Sequence, residues 1–265
     1  MNNLNIYCIT NKISPLLDKT NYYIGWVGKG AAPSNYISCN TGDNIFYKEQ
    51  YYSELTFQYW FWKNKLNIDE KKWIGFCQRR RFWVNKNSIN KKIDDKNFLE
   101  YIFKEIPQNN QDFDAIICES ISVNKVKKMK MIKRGIRSIL KKPEIFFNDK
   151  KQSIAFHFDM HHGYGNLDKA IELMDIEDRS EFLEFVNNST SFNPHIMFIT
   201  KAKILDRWFN ALFPWLFRCE EVFKFSELKG YDTQRLYAYL AERYLSFWFK
   251  KYTRYLENPW IFIDN

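Results

Sequence analysis

Residues 73–83 read WIGFCQRRRFW, an apolar run that passes directly into three arginines and closes with two aromatic residues. A short apolar run of this kind predicts a buried β-strand. Adjacent arginines repel one another unless an anion lies among them, and the planar guanidinium group suits phosphate or carboxylate. The stretch therefore predicts a strand that ends at an anion-binding site, with a solvated turn as the alternative.

Strands and helices alternate around this stretch. The predicted strands cover residues 4–10, 73–77, 114–118 and 195–200. The predicted helices cover residues 53–64, with Ser53 as the cap, and 98–106, while 25–44 are predicted to form a loop. This alternation predicts an α/β fold with a mostly parallel sheet flanked by helices. Ligands of such sheets bind beyond the carboxyl ends of the strands, which is where the arginines lie.

The second half of the chain is predicted to be mainly helical. A short element is expected at residues 154–157. Helical spacing of apolar residues predicts helices over 167–174, 179–186, 204–217 and 232–255. The expected architecture is therefore an α/β domain with a helical C-terminal part, which we predict to be a single domain over residues 1–265.

Composition limits the function classes. The net charge of +9 implies attraction to anions such as nucleic acid, anionic lipid or phosphorylated metabolites. Five scattered cysteines without a CxxC pair indicate neither a disulfide framework nor a zinc site. No signal-peptide pattern and no apolar run of about 20 residues occurs. We therefore expect a cytoplasmic protein that is neither secreted nor integral to a membrane.

Residues 123–143, which read VNKVKKMKMIKRGIRSILKKP, form a strongly basic segment. The apolar residues among the lysines and arginines have helical spacing and predict one apolar stripe; they are Val126, Met129, Ile132, Ile136, Ile139 and Leu140. A basic helical insertion of this kind suits an anionic bilayer surface. The alternative is a helix packed on the domain with a solvated basic face. Nucleic acid is not an expected partner, because no recognised motif accompanies the charge.

Three of the four histidines lie close together, at His157, His161 and His162, with Asp159 among them. Imidazole and carboxylate groups at this density suit a general base or a metal site. His157 and His161 have the spacing of one helix face, but the glycines at 163 and 165 argue against a continuing helix. A structural role is the other interpretation, because no spacing completes a known zinc pattern.

Several ordered motifs resemble a known bacterial family. They are NTGDNI at residues 40–45, YYSELT at 51–56, YWFWKN at 59–64 and IGFCQRRRF at 74–82, followed by GYD at 230–232 and LAER at 240–243. Together they resemble the domain of unknown function 4422 family, which is associated with capsule, lipooligosaccharide and O-antigen glycosyltransferases. The family has His-Tyr before its two arginines, where this chain has Gln78 and Arg79, so any role of that histidine does not carry over.

The resemblance implies a GT-A-like nucleotide-binding fold. It also implies a glycosyltransferase, of hexosyl or galactofuranosyl type, that moves a sugar from a nucleoside diphosphate sugar to a lipid-linked glycan acceptor. Many GT-A enzymes hold a divalent metal under the diphosphate with an Asp-x-Asp motif, and none follows the strand here. We predict that arginines neutralise the leaving group instead, so that no metal or other cofactor is required. The expected donor is UDP-linked.

Site residues are assigned from the motifs and the predicted strand ends. The residues predicted to bind the donor are Thr10, Gly42, Asp43, Asn44, Glu54, Arg79, Arg80 and Arg81. Arg80 and Arg81 are favoured because they align with the family's arginine pair. For Asp43 the alternative is a stabilised turn, and for Glu54 it is a carboxylate in the first turn of a helix.

The acceptor side is predicted from the remaining polar groups. The candidates for the catalytic base are Glu242, Asp159 and His161, and those for acceptor binding are His157, His162 and His195. The expected place of action is the inner face of the membrane, where the enzyme is peripheral. The alternative function, from a different class, is a non-catalytic basic adaptor that binds anionic membrane or nucleic acid.

Overall fold

The computed structural model describes residues 3–88 and 91–264. Its strands are β1 (Leu4–Thr10), β2 (Tyr23–Trp26), β3 (Ile37–Ser38), β4 (Trp73–Gln78), β5 (Arg81–Trp83), β6 (Ala115–Cys118), β7 (Ile121–Ser122), β8 (Ser191–Phe192), β9 (Phe198–Lys201), β10 (Tyr255–Asn258) and β11 (Trp260–Phe262). Its helices are α1 (Glu49–Tyr52), α2 (Leu55–Asn64), α3 (Phe98–Tyr101), α4 (Lys128–Lys141), α5 (Glu144–Phe147), α6 (Ile154–His162), α7 (Asn166–Glu172), α8 (Ile176–Asn188), α9 (Ala202–Phe223), α10 (Tyr231–Gln234) and α11 (Leu236–Tyr252).

The larger sheet has the strand order β10-β6-β9-β4-β1-β2-β3, and outside this row β5 pairs with β4 and β11 pairs with β5. Neighbours β1 and β2, β1 and β4, β2 and β3, and β6 and β10 are parallel. Strand β9 is antiparallel to both of its neighbours, β4 and β6. The predicted fold class, α/β with a mostly parallel sheet flanked by helices, is confirmed.

Strand β4 lies at the centre of this sheet, and all six of its residues are buried. A central strand that is covered on both faces has apolar residues at successive positions. This continuous apolar run is why the sequence predicted β4 as a strand. Gly75 lies in the middle, and a Cβ atom there would stand 2.9 Å from the Ile199 side chain and 3.2 Å from that of Ile6. The glycine therefore lets three neighbouring strands pack closely.

The chain divides into two compact units. Unit 1 consists of Met1–Glu119, His195–Asn210 and Phe249–Asn265 and contains the large sheet. Unit 2 consists of Ser120–Pro194 and Ala211–Trp248 and contains α4 to α8 with the small β7-β8 sheet. The prediction of one glycosyltransferase domain stays a prediction. In the described part of the chain, each helix is too short or too polar to cross a bilayer.

Several local predictions differ from the structure. Ser53 does not cap α2: it follows α1, has φ 53°, and the cap position is taken by Glu54 without a side-chain bond. The helix predicted over residues 98–106 ends at Tyr101. There the chain turns to the sheet, where Phe103 N donates to Trp83 O at 2.9 Å and Ile102 bridges to Val84. Pairing with a distant strand outweighs the local helical pattern at this point.

Two further predictions were wrong in extent. The stretch 25–44 is not all loop, because it contains the end of β2 and the short β3, which pair with β1 and β2. The helix predicted over 232–255 is divided into α10 and α11, and its last residue belongs to β10. Strands β3 and β10 have no strong sequence pattern of their own. Each forms by pairing in parallel with a strand from another part of the chain, β3 with β2 and β10 with β6.

Candidate active site

The carboxyl ends of three strands lie side by side in unit 1. Val27 N donates to Thr10 O at 2.9 Å, and Arg79 N donates to Ile9 O at 3.1 Å. The residues that follow β1, β2 and β4 therefore share one edge of the sheet, the edge at which α/β proteins bind ligands. We call this edge, with Asn11, Gly28 and Arg79, the carboxyl edge.

The backbones of two strands approach closely at this edge. A Cβ atom on Gly28 would lie 2.6 Å from the Asn11 carbonyl oxygen and 2.5 Å from the Trp26 ring. A side chain at position 28 would therefore displace the chain that follows β1. Gly28 carries no signal of its own in the sequence, because it lies within a polar, irregular stretch that predicts a loop.

The three arginines occupy a tight hairpin. Gln78 pairs with Arg81, so Arg79 and Arg80 form the connection between β4 and β5. Arg80 makes an ion pair with Asp264 at 3.0 Å, and its guanidinium carbon lies 5.0 Å from the centre of the Phe262 ring. Both partners of the ion pair are exposed to solvent, which screens their attraction.

Arg81 is held on the other side of the hairpin. It donates to Gln78 Oε1 at 3.0 Å, and its guanidinium carbon lies 5.5 Å from the centre of the Phe262 ring. Its Nε atom is buried and has no hydrogen-bond partner among the residues that the structure describes. A buried guanidinium N–H that is unsatisfied costs free energy unless a ligand supplies the acceptor.

Arg79 differs from both of its neighbours. Its side chain is half-buried. Across residues 3–88 and 91–264, the structure gives its guanidinium group neither a hydrogen bond nor an ion pair. Its backbone is fixed to β1 through Ile9, and its charge is thus held at the carboxyl edge without a carboxylate to neutralise it. Arg79 is the best placed of the three to meet an incoming anion.

Thr10 and Glu54 have different surroundings. The Thr10 hydroxyl is buried, donates to Lys12 O at 2.6 Å and accepts from Lys12 N at 3.0 Å, so it stabilises the turn after β1. Glu54 is half-buried at the start of α2, and in the described part of the chain its carboxylate has no hydrogen bond or ion pair. Thr10 thus has a structural task, and Glu54 remains available for a ligand.

A residue that the sequence analysis did not name lies one turn after Glu54. Gln58 Nε2 donates to Ile196 O at 3.0 Å, two residues before β9. Its Oε1 atom is buried, and within residues 3–88 and 91–264 it has no hydrogen-bond partner. The signal was present: Gln58 is a polar residue within the apolar run LTFQYWFW. An unsatisfied buried acceptor is a polar group that a bound ligand could satisfy.

The motif Gly42, Asp43 and Asn44 is bound to the C-terminal half of α2. Asp43 Oδ1 accepts from the Tyr59 hydroxyl at 3.1 Å, and Asn64 Nδ2 donates to Asp43 O at 2.7 Å. Burial and then the Asp43 carboxylate raise the pKa of Tyr59 to about 12. The structure thus joins two of the family's motifs to each other, which favours the structural interpretation of Asp43 that the sequence analysis left open.

Asn44 and Gly42 complete this loop. Asn44 donates to Gly42 O at 2.9 Å and accepts from Phe46 N at 3.2 Å. Gly42 has φ 64°, and a Cβ atom there would lie 2.1 Å from Asn64 Oδ1. The hydrogen bonds of these predicted donor-binding residues go to the loop and to α2, and the structure does not bring them into the arginine hairpin.

His195 also belongs to unit 1. It has φ 66°, and its ring packs edge-to-face against Trp260 at 4.4 Å between ring centres. The other histidines belong to unit 2. The acceptor-binding residues predicted from the sequence therefore do not form one cluster within either unit.

Unit 2 contains a buried polar cluster between α6 and α11. The short element expected at residues 154–157 is a nine-residue helix, which ends at Gly163 with φ 101°. The rings of His157 and His161 stack at 4.4 Å, and Arg243 Nη2 lies 3.3 Å from His157 Nδ1. Arg243 is 1% exposed and makes an ion pair with Glu242. A chain of contacts thus joins Glu242 to His161.

The hydrogen bonds of these histidines fix their protons. His161 Nδ1 lies 2.8 Å from His157 O, and His162 Nδ1 lies 2.9 Å from Asp232 O. A carbonyl accepts only, so each Nδ1 carries the proton and each Nε2 keeps its lone pair. This is the tautomer that a general base requires at Nε2.

Burial keeps the histidines neutral. Burial and then the charge of Arg243 lower the pKa of His157 to about 2 and that of His162 to about 3. Burial also lowers the pKa of His161, and the charges of Lys130 and Arg134 act in the same direction. At neutral pH these imidazoles accept protons poorly in the ground state but present unprotonated nitrogen.

Asp159 lies apart from this cluster, on another face of α6. Its oxygens accept from Ser138 Oγ at 2.8 Å and Gly165 N at 2.9 Å, and burial raises its pKa. It lines a cavity of about 180 Å³ together with Lys141, Tyr164 and Asp168. Of the three predicted bases, the structure connects Glu242 and His161 and separates Asp159 from them.

A metal site was the less favoured alternative for this region. Within residues 3–88 and 91–264, no three His, Cys, Asp or Glu side chains are placed to hold one metal ion. Whether transfer depends on a metal stays a prediction.

The strand order and the antiparallel β9 within a mostly parallel sheet define a mixed α/β fold with helices on the faces of its sheet. The chain belongs to the family described as Domain of unknown function (DUF4422), which matches residues 5–253. The family prediction is thus confirmed. No curated protein matches the sequence.

The fold is similar to a solved structure, the apo form of the WbbM bifunctional glycosyltransferase. The TM-score is 0.77 with 19% sequence identity, and the match covers 100% of this chain and 46% of that one. The chain thus spans about half the length of the protein that it matches. At this identity the likeness shows the fold, and activity is a separate question.

Proposed function

We propose that this chain is a glycosyltransferase that moves a sugar from a nucleoside diphosphate sugar to a glycan acceptor. The observation that carries the proposal is the Arg79 guanidinium, which has no partner among the described residues and is held by the backbone at the carboxyl edge where β1 and β4 end. The fold likeness to a bifunctional glycosyltransferase over the whole chain supports it. A fixed cation at a nucleotide-binding edge suits a diphosphate.

The reaction is a displacement at the anomeric carbon of the donor. The bond from that carbon to the diphosphate breaks as the acceptor oxygen attacks, and negative charge grows on the leaving diphosphate. Arg79 stabilises this charge, and Arg80 and Arg81 in the same hairpin contribute to the local potential. The acceptor hydroxyl gives its proton to a general base, for which Glu242, Asp159 and His161 stay the residues predicted from the sequence.

The substrates are proposed from the family association and the charge of the chain. The donor is a UDP-linked hexose or galactofuranose, and the acceptor is a lipid-linked glycan of capsule, lipooligosaccharide or O-antigen. The enzyme acts in the cytoplasm and is peripheral on the inner membrane, to whose anionic lipids a net charge of +9 is attracted. Because arginines neutralise the leaving group, the reaction needs no divalent metal.

A thermal-shift screen of nucleoside diphosphate sugars, with and without EDTA, tests this proposal. A donor at about 100 times its Kd stabilises the fold by about 2.7 kcal/mol. We expect one class of donor to raise the melting temperature equally in both conditions, and Arg79→Gln to lose most of the shift. Lys203→Gln is the matched control: it removes an exposed cation from α9 in the same unit.

Turnover gives the second measurement. Because charge on the diphosphate grows toward the transition state, Arg79→Ala should lower kcat more than donor affinity, by on the order of 10²-fold. Activity that vanishes with EDTA and returns with manganese would contradict the metal-free mechanism. Salt-sensitive binding to any polyanion, without a shift from any nucleotide sugar, would instead favour the basic adaptor.

A further inference from the structure

Helix α4 has three faces, and one of them packs against the rest of unit 2. Met131, Gly135 and Ser138 are buried on that face. A Cβ atom on Gly135 would lie 2.7 Å from the Phe156 ring and 3.0 Å from Met160, so the glycine lets α4 lie directly on α6. Small residues thus form much of the buried face, and the larger apolar side chains are placed elsewhere.

The second face is apolar and exposed to solvent. Met129 is 76% exposed, Leu140 75%, Ile132 46% and Ile136 44%. Their spacing of three and four residues puts them in one stripe along the helix. Of the six residues in the predicted stripe, only Val126 and Ile139 pack against the core beneath α4.

The third face is basic and adjoins the apolar stripe. At 100° per residue, its members follow the stripe around the helix; they are Lys130, Lys133, Arg134, Arg137 and Lys141. Arg134 makes an ion pair with Asp232 at 3.6 Å. No acidic residue occurs between Glu119 and Glu144, so the segment itself offers this face no counter-charge.

We propose that this surface of α4, defined by the apolar stripe and the basic face beside it, docks on an anionic lipid bilayer. The apolar side chains enter the boundary between head groups and acyl chains, and the lysines and arginines meet the lipid phosphates. A nucleic acid would bind the basic residues but would leave the four apolar residues exposed. An uncharged protein groove would bury the apolar residues but would leave the basic residues without a counter-charge. Charge complementarity and the apolar stripe together select the anionic membrane.

The exposed ring of Phe147 in α5 extends the apolar surface just beyond the end of α4. The proposal names the membrane partner of the proposed transferase, but docking does not require sugar transfer. Vesicle binding and donor binding are therefore measured separately. A failure of vesicle binding would leave the proposed sugar transfer standing, and a failure of donor binding would leave the membrane docking standing.

Co-sedimentation with vesicles tests the surface. We expect the whole chain to bind vesicles of phosphatidylcholine and phosphatidylglycerol in equal parts, and not vesicles of phosphatidylcholine alone. The variant Met129→Gln, Ile136→Gln, Leu140→Gln should bind at least about tenfold more weakly, because its stripe no longer enters the bilayer. Glutamine keeps the helix propensity, so folding is preserved.

The basic face needs its own variant. Lys133→Gln with Arg137→Gln should also weaken binding by about tenfold or more, since each basic residue near an anionic surface contributes about 1 kcal/mol. Both residues lie outside the histidine cluster. The matched control for the stripe is Ile176→Gln, Leu183→Gln, Val222→Gln, which removes exposed apolar residues from other helices of unit 2. That control and Lys169→Gln with Lys229→Gln should bind as the original chain does.

A fluorescent label distinguishes insertion from surface attraction. All five native cysteines are buried, so Ile136→Cys introduces the one accessible thiol for an environment-sensitive dye. We expect the emission to shift to the blue on anionic vesicles, with no shift from a label at Ile176→Cys. Equal vesicle binding by the stripe variant, or an unshifted emission at position 136, overturns the proposal. Self-association that the stripe variant abolishes, without vesicle binding, assigns the surface to a second copy of the chain and also overturns it.

Discussion

Arg79, Arg80 and Arg81 are neighbours in the chain, yet each has a different electrostatic environment. Arg80 is paired with Asp264, Arg81 is bonded to Gln78, and Arg79 has no partner within the described residues. The alignment with the family favoured Arg80 and Arg81. The structure moves our expectation to Arg79, because sequence position alone does not show which guanidinium a carboxylate already neutralises.

At the residue scale, His162 makes stability depend on pH. Its pKa is about 3 in the folded chain, against about 6.5 when unfolded. The unfolded state therefore binds the proton first, and stability falls as the pH drops from about 6.5 toward 3.

When the pH is lowered from about 7 to about 5, this histidine should lower the free energy of unfolding by about 2 kcal/mol. We expect His162→Gln to lose that part of the pH dependence in urea unfolding. Tyr239→Phe, which alters the stacked neighbour but keeps the imidazole, should retain it. An unchanged slope in His162→Gln would show that the group is not buried in its neutral form.

At the scale of elements, the loop of residues 40–45 and helix α2 act as one structural piece. Asp43 and Gly42 contact Tyr59 and Asn64 rather than the arginine hairpin. The family's motifs therefore carry two kinds of information: some residues hold elements together, and others face the ligand.

Asp43→Ala separates these roles. The Tyr59 hydroxyl loses an acceptor, so the variant should be less stable by about 1 kcal/mol, while the donor-induced thermal shift is unchanged. Asp43→Asn retains an acceptor oxygen and is the control. A stable Asp43→Ala protein that no longer responds to any nucleotide sugar would restore Asp43 to the donor site.

The elements that the sequence predicted well are those with a strong local pattern of apolar residues. Strands β1 and β4 are buried apolar runs, and they were predicted nearly to the residue. Helix α4 was predicted as a basic helix, but which side faces the core depends on Gly135 and on the Phe156 ring that it meets. Gln58 is visible in the sequence as a polar residue within an apolar run, but its partner Ile196 lies in a distant part of the chain, which periodicity does not predict.

At the scale of the whole molecule, the chain divides into two compact units, and the single glycosyltransferase domain stays a prediction. The division depends on contacts between segments far apart in sequence, which no local pattern reports. If unit 1 carries the donor site, donor binding should protect its carboxyl edge first.

Hydrogen exchange at short labelling times measures this. A nucleoside diphosphate sugar should slow exchange in the segments that follow β1, β2 and β4, and leave α4 and α6 unchanged. The same donor should protect nothing in Arg79→Gln. Protection centred on α6 alone would place the donor in unit 2 and remove the arginine hairpin from the mechanism.

The place of β9 in the sheet also has a consequence for synthesis on the ribosome. Strand β9 lies between β4 and β6 and pairs with both of them. It begins at Phe198, so it is synthesised after all of Ser120–Pro194. Until then β4 has an open edge, and β6 is unpaired because its partners β9 and β10 both come later in the chain; pairing that closes so long a loop is slow. During that interval the apolar faces of β4 and β6 are the surfaces that a chaperone would need to cover.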